Sequence, residues 1–248
     1  MDRIQAIKSV SILYLAIIFM TLVLGCRSEE RDLHDYYFPY KDLQDGKVYL
    51  YKDVGDGTFA KEFWFIQSEK SEEGYHLNIS ILNSKGEPIQ TLREKVLPDE
   101  IKTVATMLVE RDAYGDKYPV DVEIQQPYSF NLKIQDTSKA LYCTLDWINP
   151  IDSLEYTLEK IRYFKGFSTM QIMDKKVETL NITVHTTFKS FDINDGETSS
   201  LWPGEERYAK GLGLVYFKRA VNPEFVKELQ LTKIYGREEF NRLKNTHL

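Results

Sequence analysis

Side chains able to do chemistry are few in this chain and scattered along it. The four histidines are His34, His76, His185 and His247, and no two stand at His-x-x-x-His spacing. The two cysteines, Cys26 and Cys143, form no Cys-x-x-Cys unit. A closed zinc site needs such ligands brought together, so no metal ligand is assigned. His185 alternates with Val184 and Thr186 and is expected to face water or a neighbouring hydroxyl rather than act as a base. Asp192-Ile193-Asn194-Asp195-Gly196-Glu197 has the composition of a calcium loop, but its glycine comes fifth rather than sixth and no glutamate stands twelfth. An ordinary Asp-Gly turn is expected there. No Gly-x-Ser-x-Gly elbow is present, and Gly204 and Gly211-Leu212-Gly213 are too sparse to cradle a phosphate. The carboxylate pairs Glu205-Glu206 and Glu238-Glu239 are adjacent in sequence, and adjacent side chains diverge on a strand or a helix. No catalytic or cofactor-binding residue is assigned, and the chain is read as non-enzymatic.

Cys26 is the residue with a defined chemical prospect. Before it, Arg3 and Lys8 make a short positive region, and Ser9 to Gly25 carry no charge. Charged-then-apolar order is that of an export signal, and the apolar run is marginal in length for a spanning helix. Val23-Leu24-Gly25-Cys26 closes the run and resembles the lipobox of bacterial lipoproteins. The resemblance implies cleavage between Gly25 and Cys26, acylation of the Cys26 sulfur and amino terminus (palmitate among the acyl groups), and attachment to a membrane through that lipid. The competing reading is an uncleaved anchor helix with an incidental cysteine. Arg27-Ser28-Glu29-Glu30-Arg31-Asp32 then reads as a polar tether. Its acidic pair resembles the surface-export signal of Bacteroidetes lipoproteins, and Arg27 in place of Asp argues against inner-membrane retention. The expected location is the cell envelope at the outer membrane, with the leaflet left open. Cys143, unpaired within the apolar run Ala140 to Leu145, is expected to be a buried small hydrophobe.

The elements that would position these residues are strands. Apolar residues recur with period two in Leu77, Ile79, Ile81; in Phe130, Leu132, Ile134; in Leu154, Tyr156, Leu158; and in Leu180, Ile182, Val184, Phe188. Turn signals separate them: Asp45-Gly46, Gly55-Asp56-Gly57, Ser84-Lys85-Gly86, Tyr114-Gly115-Asp116, Asn149-Pro150, Asp195-Gly196 and Asn222-Pro223. Such punctuation predicts hairpins in an antiparallel meander. Pro98 to Tyr114 fits helix or strand by period, and its β-branched density predicts a strand from about Lys102. Arg237 to Lys244 is predicted as a short helix. Adjacent aromatics such as Trp64-Phe65 and Tyr216-Phe217 place rings on both sheet faces. The expected fold class is all-β, with α+β as the alternative: a single curved antiparallel sheet, half-barrel or sandwich, with a short C-terminal helix. The expected division is signal peptide 1–25, lipidated cysteine and tether 26–34, and one β domain 35–248.

Asp35-Tyr36-Tyr37-Phe38-Pro39, followed by Leu43, Gly46 and Val48-Tyr49, resembles the opening of Bacteroidetes envelope lipoproteins. Tyr208-Ala209-Lys210-Gly211-Leu212-Gly213-Leu214-Val215 resembles the late strand of the antiparallel half-barrel of lipoprotein carriers, which implies an apolar ligand. A net charge of −6 without a basic cluster weighs against nucleic acid. The expectation is a lipid-anchored envelope module of structural or binding role. A carrier of a lipid or other apolar ligand and a glycan-handling protein are the alternatives, and an envelope protein is a possible partner. With no internal disulfide available, the mature chain is expected to fold without metal or cofactor. Cys26→Ala is predicted to abolish acyl labelling and signal removal together; unchanged labelling in the variant would end the lipoprotein assignment.

Overall fold

The structure, a computed structural model, describes residues 31–134, 139–220 and 225–247. The expected signal peptide, Gly25 and Cys26, the first part of the tether and the Asn222-Pro223 turn lie outside the described residues.

Alternation along the chain is realised as a meander. Strands β2 (Lys47–Asp53), β3 (Glu62–Ser71), β4 (Gly74–Leu82), β5 (Pro88–Val96) and β6 (Glu100–Arg111) follow one another. Next, β7 (Lys117–Asp121) and β8 (Glu123–Asn131) run back along β6 as one interrupted strand. Then come β10 (Leu141–Ile148), β11 (Glu155–Ile172), β12 (Lys175–Asp192), β13 (Gly196–Ala209), β14 (Gly213–Ala220) and β15 (Val226–Gly236). Two-residue strands β1 (Arg31–Asp32) and β9 (Lys133–Ile134) stand outside this sheet, and helix α1 (Arg237–His247) ends the described chain. The segment from Glu100 is a strand, as its β-branched content predicts.

The sheet does not stop at an edge. The last strand, β15, pairs antiparallel with the first of the meander, β2, at Tyr235↔Val48 and Leu231↔Tyr51. With β5 paired to β6 from Val96↔Ile101 to Gln90↔Leu108, twelve strands close into an up-and-down barrel, β7 being an extra strand on β6. The expected half-barrel or sandwich is thereby corrected to a closed barrel. Periodicity reports which residues share a face; it does not report whether the first strand meets the last. Closure removes the free edges that an open sheet would have to protect.

A twelve-stranded ring lies between the eight strands whose side chains fill an interior and the sixteen or more that leave a channel. Part of the excess space is filled by the segment entering β2. Leu33, Tyr36, Tyr37, Phe38 and Leu43 are all buried, and two 3-10 turns, His34–Tyr36 and Tyr40–Asp42, fold the segment into the ring. Tyr37 packs on Phe130 with ring centres 4.9 Å apart, and Phe38 meets Tyr49 edge-on at 5.5 Å. The plug is pinned by its backbone, since Leu33 N donates to Leu132 O at 2.7 Å and Gly211 N to Asp35 O at 2.7 Å. Each of these large side chains stabilises the fold by about 1.5–3 kcal/mol through burial.

The outer wall is polar. Lys189–Glu159, Arg207–Glu205 and Lys218–Glu228 pair across its surface, whereas a membrane-spanning barrel needs a continuous outward apolar band. One outer patch is covered: α1 lays Phe240 on Phe63, ring centres 5.1 Å apart, beside Val48, Leu50 and Tyr235.

The expected single late strand over Tyr208 to Val215 is a hairpin instead, in which β13 ends at Ala209 and β14 begins at Gly213. Gly211 (φ +70) and Gly213 (φ +84) make the turn, and a Cβ on Gly213 would lie 2.4 Å from the Phe38 ring. Gly213→Val should therefore cost about 1–2 kcal/mol for the backbone and a further 1–3 kcal/mol for overpacking. Gly211→Val, with open space around its Cβ, should cost only the backbone part. Urea unfolding of both variants checks this; equal midpoints would mean that the plug does not press on Gly213.

Candidate functional site

Beside the plug the barrel interior holds a cavity of about 200 Å³. Its lining is in part apolar, with Ile79 and Ile81 of β4, Leu92 of β5, Leu145 of β10 and Leu214 and Phe217 of β14 facing it. The lining also carries charge: Lys160 and Arg162 of β11, Arg219 of β14 and Lys227 of β15 stand with Glu62 of β3, Glu94 of β5 and Glu206 of β13. These residues point inward because each shares parity with a core residue of its strand. Lys160 and Arg162 are in phase with Leu158 and Phe164, Glu94 with Leu92 and Val96, and Glu206 with Tyr208.

Each carboxylate has partners. Arg162 grips Glu206 through both oxygens, Nε to Oε2 at 2.8 Å and Nη2 to Oε1 at 3.2 Å, and the Tyr208 hydroxyl donates to Oε2 at 2.9 Å. Burial alone would raise Glu206, but the Arg162 guanidinium and these hydrogen bonds hold it down at about 2. The same pairing raises Arg162 further above its ordinary value against the opposing effect of burial. Glu62 pairs with Lys227 and accepts from Trp64 Nε1 at 3.0 Å. Glu94 accepts from the plug's Tyr37 hydroxyl, and burial raises its carboxyl although that bond and Arg162 oppose the rise. Thr103 and Ser129 bond to each other at 2.5 Å beneath it.

Two cations remain. Lys160 and Arg219 have no ion-pair partner among the described residues, and their mutual repulsion adds to burial in bringing Lys160 down to about 7. Arg162 pushes the same way, and Glu206 and Cys143 oppose it. Cys143 is buried on the same wall, with no histidine lining the cavity beside it. Cys143 stands directly opposite Lys160 in the β10–β11 register, and the arrangement can hold a charge.

A second concavity lies where β10 parts from β7 and β8. Pairing of β10 with β8 stops at Asp146↔Glu123, and beyond that point the strands part to leave an open groove of about 620 Å³. Trp147 and Tyr156 line it with Asp121, Glu123, Asp146 and Glu155. Behind them a row of rings crosses four strands, from Trp147 to Tyr156 (5.6 Å), Phe188 (5.2 Å) and Trp202 (5.4 Å).

The residues singled out in the sequence are not brought together. His34 bonds Asp32 at 2.5 Å, His76 lies on β4, and His185 points outward against Tyr163, with ring centres 5.4 Å apart. Asp192 accepts from Asn194 N at 2.7 Å and Asp195 N at 3.2 Å, the Asx geometry of a turn. Cys143 is buried within an apolar cluster, as expected. Glu205 and Glu206 do diverge, Glu205 to Arg207 on the outside and Glu206 to Arg162 within. Sequence reading missed the interior charges altogether. Their signal was charged residues in phase with the apolar face of a strand, as in Leu158-x-Lys160-x-Arg162-x-Phe164.

Comparison with known proteins bears on the fold. A protein of Bacteroides fragilis, described as exported and as having a YmcC-like fold, matches with a TM-score of 0.51 at 12% identity, over 80% of this chain and 98% of that one. A protein of Parabacteroides distasonis, described as a lipoprotein, matches with a TM-score of 0.49 at 10% identity, over 81% and 98%. No protein-family model matches the chain, and no curated protein matches it in sequence.

The interior charges predict two separate pH windows in which stability rises with pH. Glu206 lies below its ordinary 4.5, so its pair with Arg162 is fully stabilising above that value and its contribution fades as pH falls toward about 2. Lys160 lies below its ordinary 10.5, so between about 7 and 10.5 the unfolded chain binds more protons and stability rises with pH. Arg162→Met, which strands Glu206, should cost about 3–5 kcal/mol at neutral pH. Lys160→Met should flatten the alkaline rise. Urea midpoints across the pH range measure both; an unchanged alkaline slope in Lys160→Met would show that this amine is not the group responsible.

Proposed function

We propose that this chain is a lipid-anchored, non-enzymatic binding module of the cell envelope, held at the outer membrane through Cys26, with the barrel interior as its ligand site. The observation that carries the binding role is the interior cavity, lined by apolar and charged residues together, in a wall whose carboxylates are already engaged. Apolar lining with a few convergent polar groups is the usual make-up of a small-molecule site. The lipobox supports the anchor, and the likeness in fold to a protein described as exported is in keeping with an envelope address. Among the expectations from sequence, the carrier alternative is thus the one the geometry favours. The cavity is smaller than the several hundred Å³ expected of a lipid carrier, so the ligand, or the part of it that enters, is small.

A second reading rests on the open groove between β10 and β7–β8, where Trp147 and Tyr156 beside four carboxylates suit a sugar ring stacked and hydrogen-bonded. Quenching of tryptophan fluorescence by envelope glycans, lost in Trp147→Ala, would favour it.

Native mass spectrometry of the full lipoprotein, released from its own outer membrane in detergent, tests the first reading. A small-molecule mass excess is expected, shed on denaturation and absent from Leu145→Trp, which fills the cavity. An empty barrel, together with turnover on a panel of esters, glycosides and peptides that disappears in the same variant, would overturn it.

A further inference from the structure

We propose that Lys160 and Arg219 form the seat for an acidic head group, so that the ligand of the interior is a small amphipathic acid, a carboxylate or phosphate on an apolar body. This rests on the reading of the cavity as the ligand site. A charge withdrawn from water costs free energy unless it is paired, and the buried carboxylates of the wall are paired, whereas the half-buried Lys160 and Arg219 are not. Glu206 is held by Arg162 and Tyr208, Glu62 by Lys227 and Trp64, and Glu94 by Tyr37. Lys160 on β11 and Arg219 on β14 line one recess across β12 and β13 and both face the cavity, with no ion-pair partner for either among the described residues. The wall thus carries a surplus of positive charge that an anion from outside would neutralise.

Space and shape agree with that assignment. A recess of about 10 Å³ is bounded by Lys160, Arg219, Glu206, Phe217 and the buried Thr186, space for about one oxygen against the amine and guanidinium. The cavity itself opens onto Ile79, Ile81, Leu145 and Phe217, which offer nothing to a polar chain. A cavity of about 200 Å³ corresponds to the liquid volume of roughly seven waters at ~30 Å³ each. That suits a short acyl chain or a single ring, not a full diacyl lipid. The lowered value of Lys160 is the expected state of the site without its anion, and an anion bound beside the amine would raise it again.

Octanoate, octyl phosphate and 1-octanol are the probes, titrated by calorimetry onto the full lipoprotein in nanodiscs with empty nanodiscs subtracted. At least one acid should bind at least tenfold more tightly than the alcohol, and which acid binds better identifies the head group. Lys160→Met and Arg219→Leu should each lose tenfold or more of acid affinity and leave the alcohol unchanged, while Lys160→Arg and Arg219→Lys keep most of it. Without ligand, Lys160→Met should melt no lower than the parent chain, since it removes an unpaired, half-buried charge; this separates a ligand contact from a structural one. Acid and alcohol binding equally, with no effect of either variant, would overturn the seat and leave the cavity reading standing. If none of the three probes binds and native mass spectrometry finds the barrel empty, the cavity reading itself falls and the seat with it.

Discussion

A ring of twelve strands encloses more space than its own inward side chains can fill, and most of the structure follows from how that space is occupied. Eight strands would allow a close-packed interior, and sixteen would admit water throughout. Here the remainder is divided. The plug of Leu33 to Leu43 fills one part with aromatic rings, paired charges line another, and a cavity of about 200 Å³ is left between them. Tyr37 links the three, being buried against Phe130 and Tyr208 while its hydroxyl donates to Glu94 on the cavity wall. The residues that follow Cys26 in sequence are thus the ones that complete the barrel core.

The wall reverses the arrangement of a membrane-spanning barrel. Charged pairs lie outside, where water weakens them to little net effect, and the rings and aliphatic chains lie inside. Charges within the ring are a different matter, because a low-dielectric surrounding magnifies both attraction and the cost of isolation. The bidentate Arg162–Glu206 pair with its Tyr208 donor satisfies that demand; Lys160 and Arg219 have no ion-pair partner among the described residues. An interior that is otherwise fully paired makes those two cations conspicuous, and chemical recognition of an anion is the role open to them.

Much of the architecture was legible in the residues. Period two in Leu77, Ile79, Ile81 and in Ile182, Val184, Thr186 assigned the buried faces of β4 and β12. Asp195-Gly196 and Ser84-Lys85-Gly86 marked turns that the chain makes, and the β-branched run from Lys102 marked β6. Local sequence determines these because side-chain parity, backbone φ and β-propensity are properties of neighbouring residues. The candidate site was legible only in part: charges at Glu94, Lys160 and Arg162 stood in phase with apolar neighbours, yet nothing adjacent in sequence told whether that face would meet water or a core.

What the tertiary structure alone decided is every relation between distant residues. Closure of the ring joins Tyr235 to Val48, the plug's Tyr37 reaches Glu94, Arg162 meets Glu206 44 residues away, and Lys227 meets Glu62 across 165. Each depends on strand count and register, which set the width of the ring and so the volume to be filled. The expected signal peptide and lipobox, like the set of amphipathic strands, are read from consecutive residues. Whether those strands form an open sheet or a barrel, and which of their charges remain without a partner, is settled only when the first strand pairs with the last.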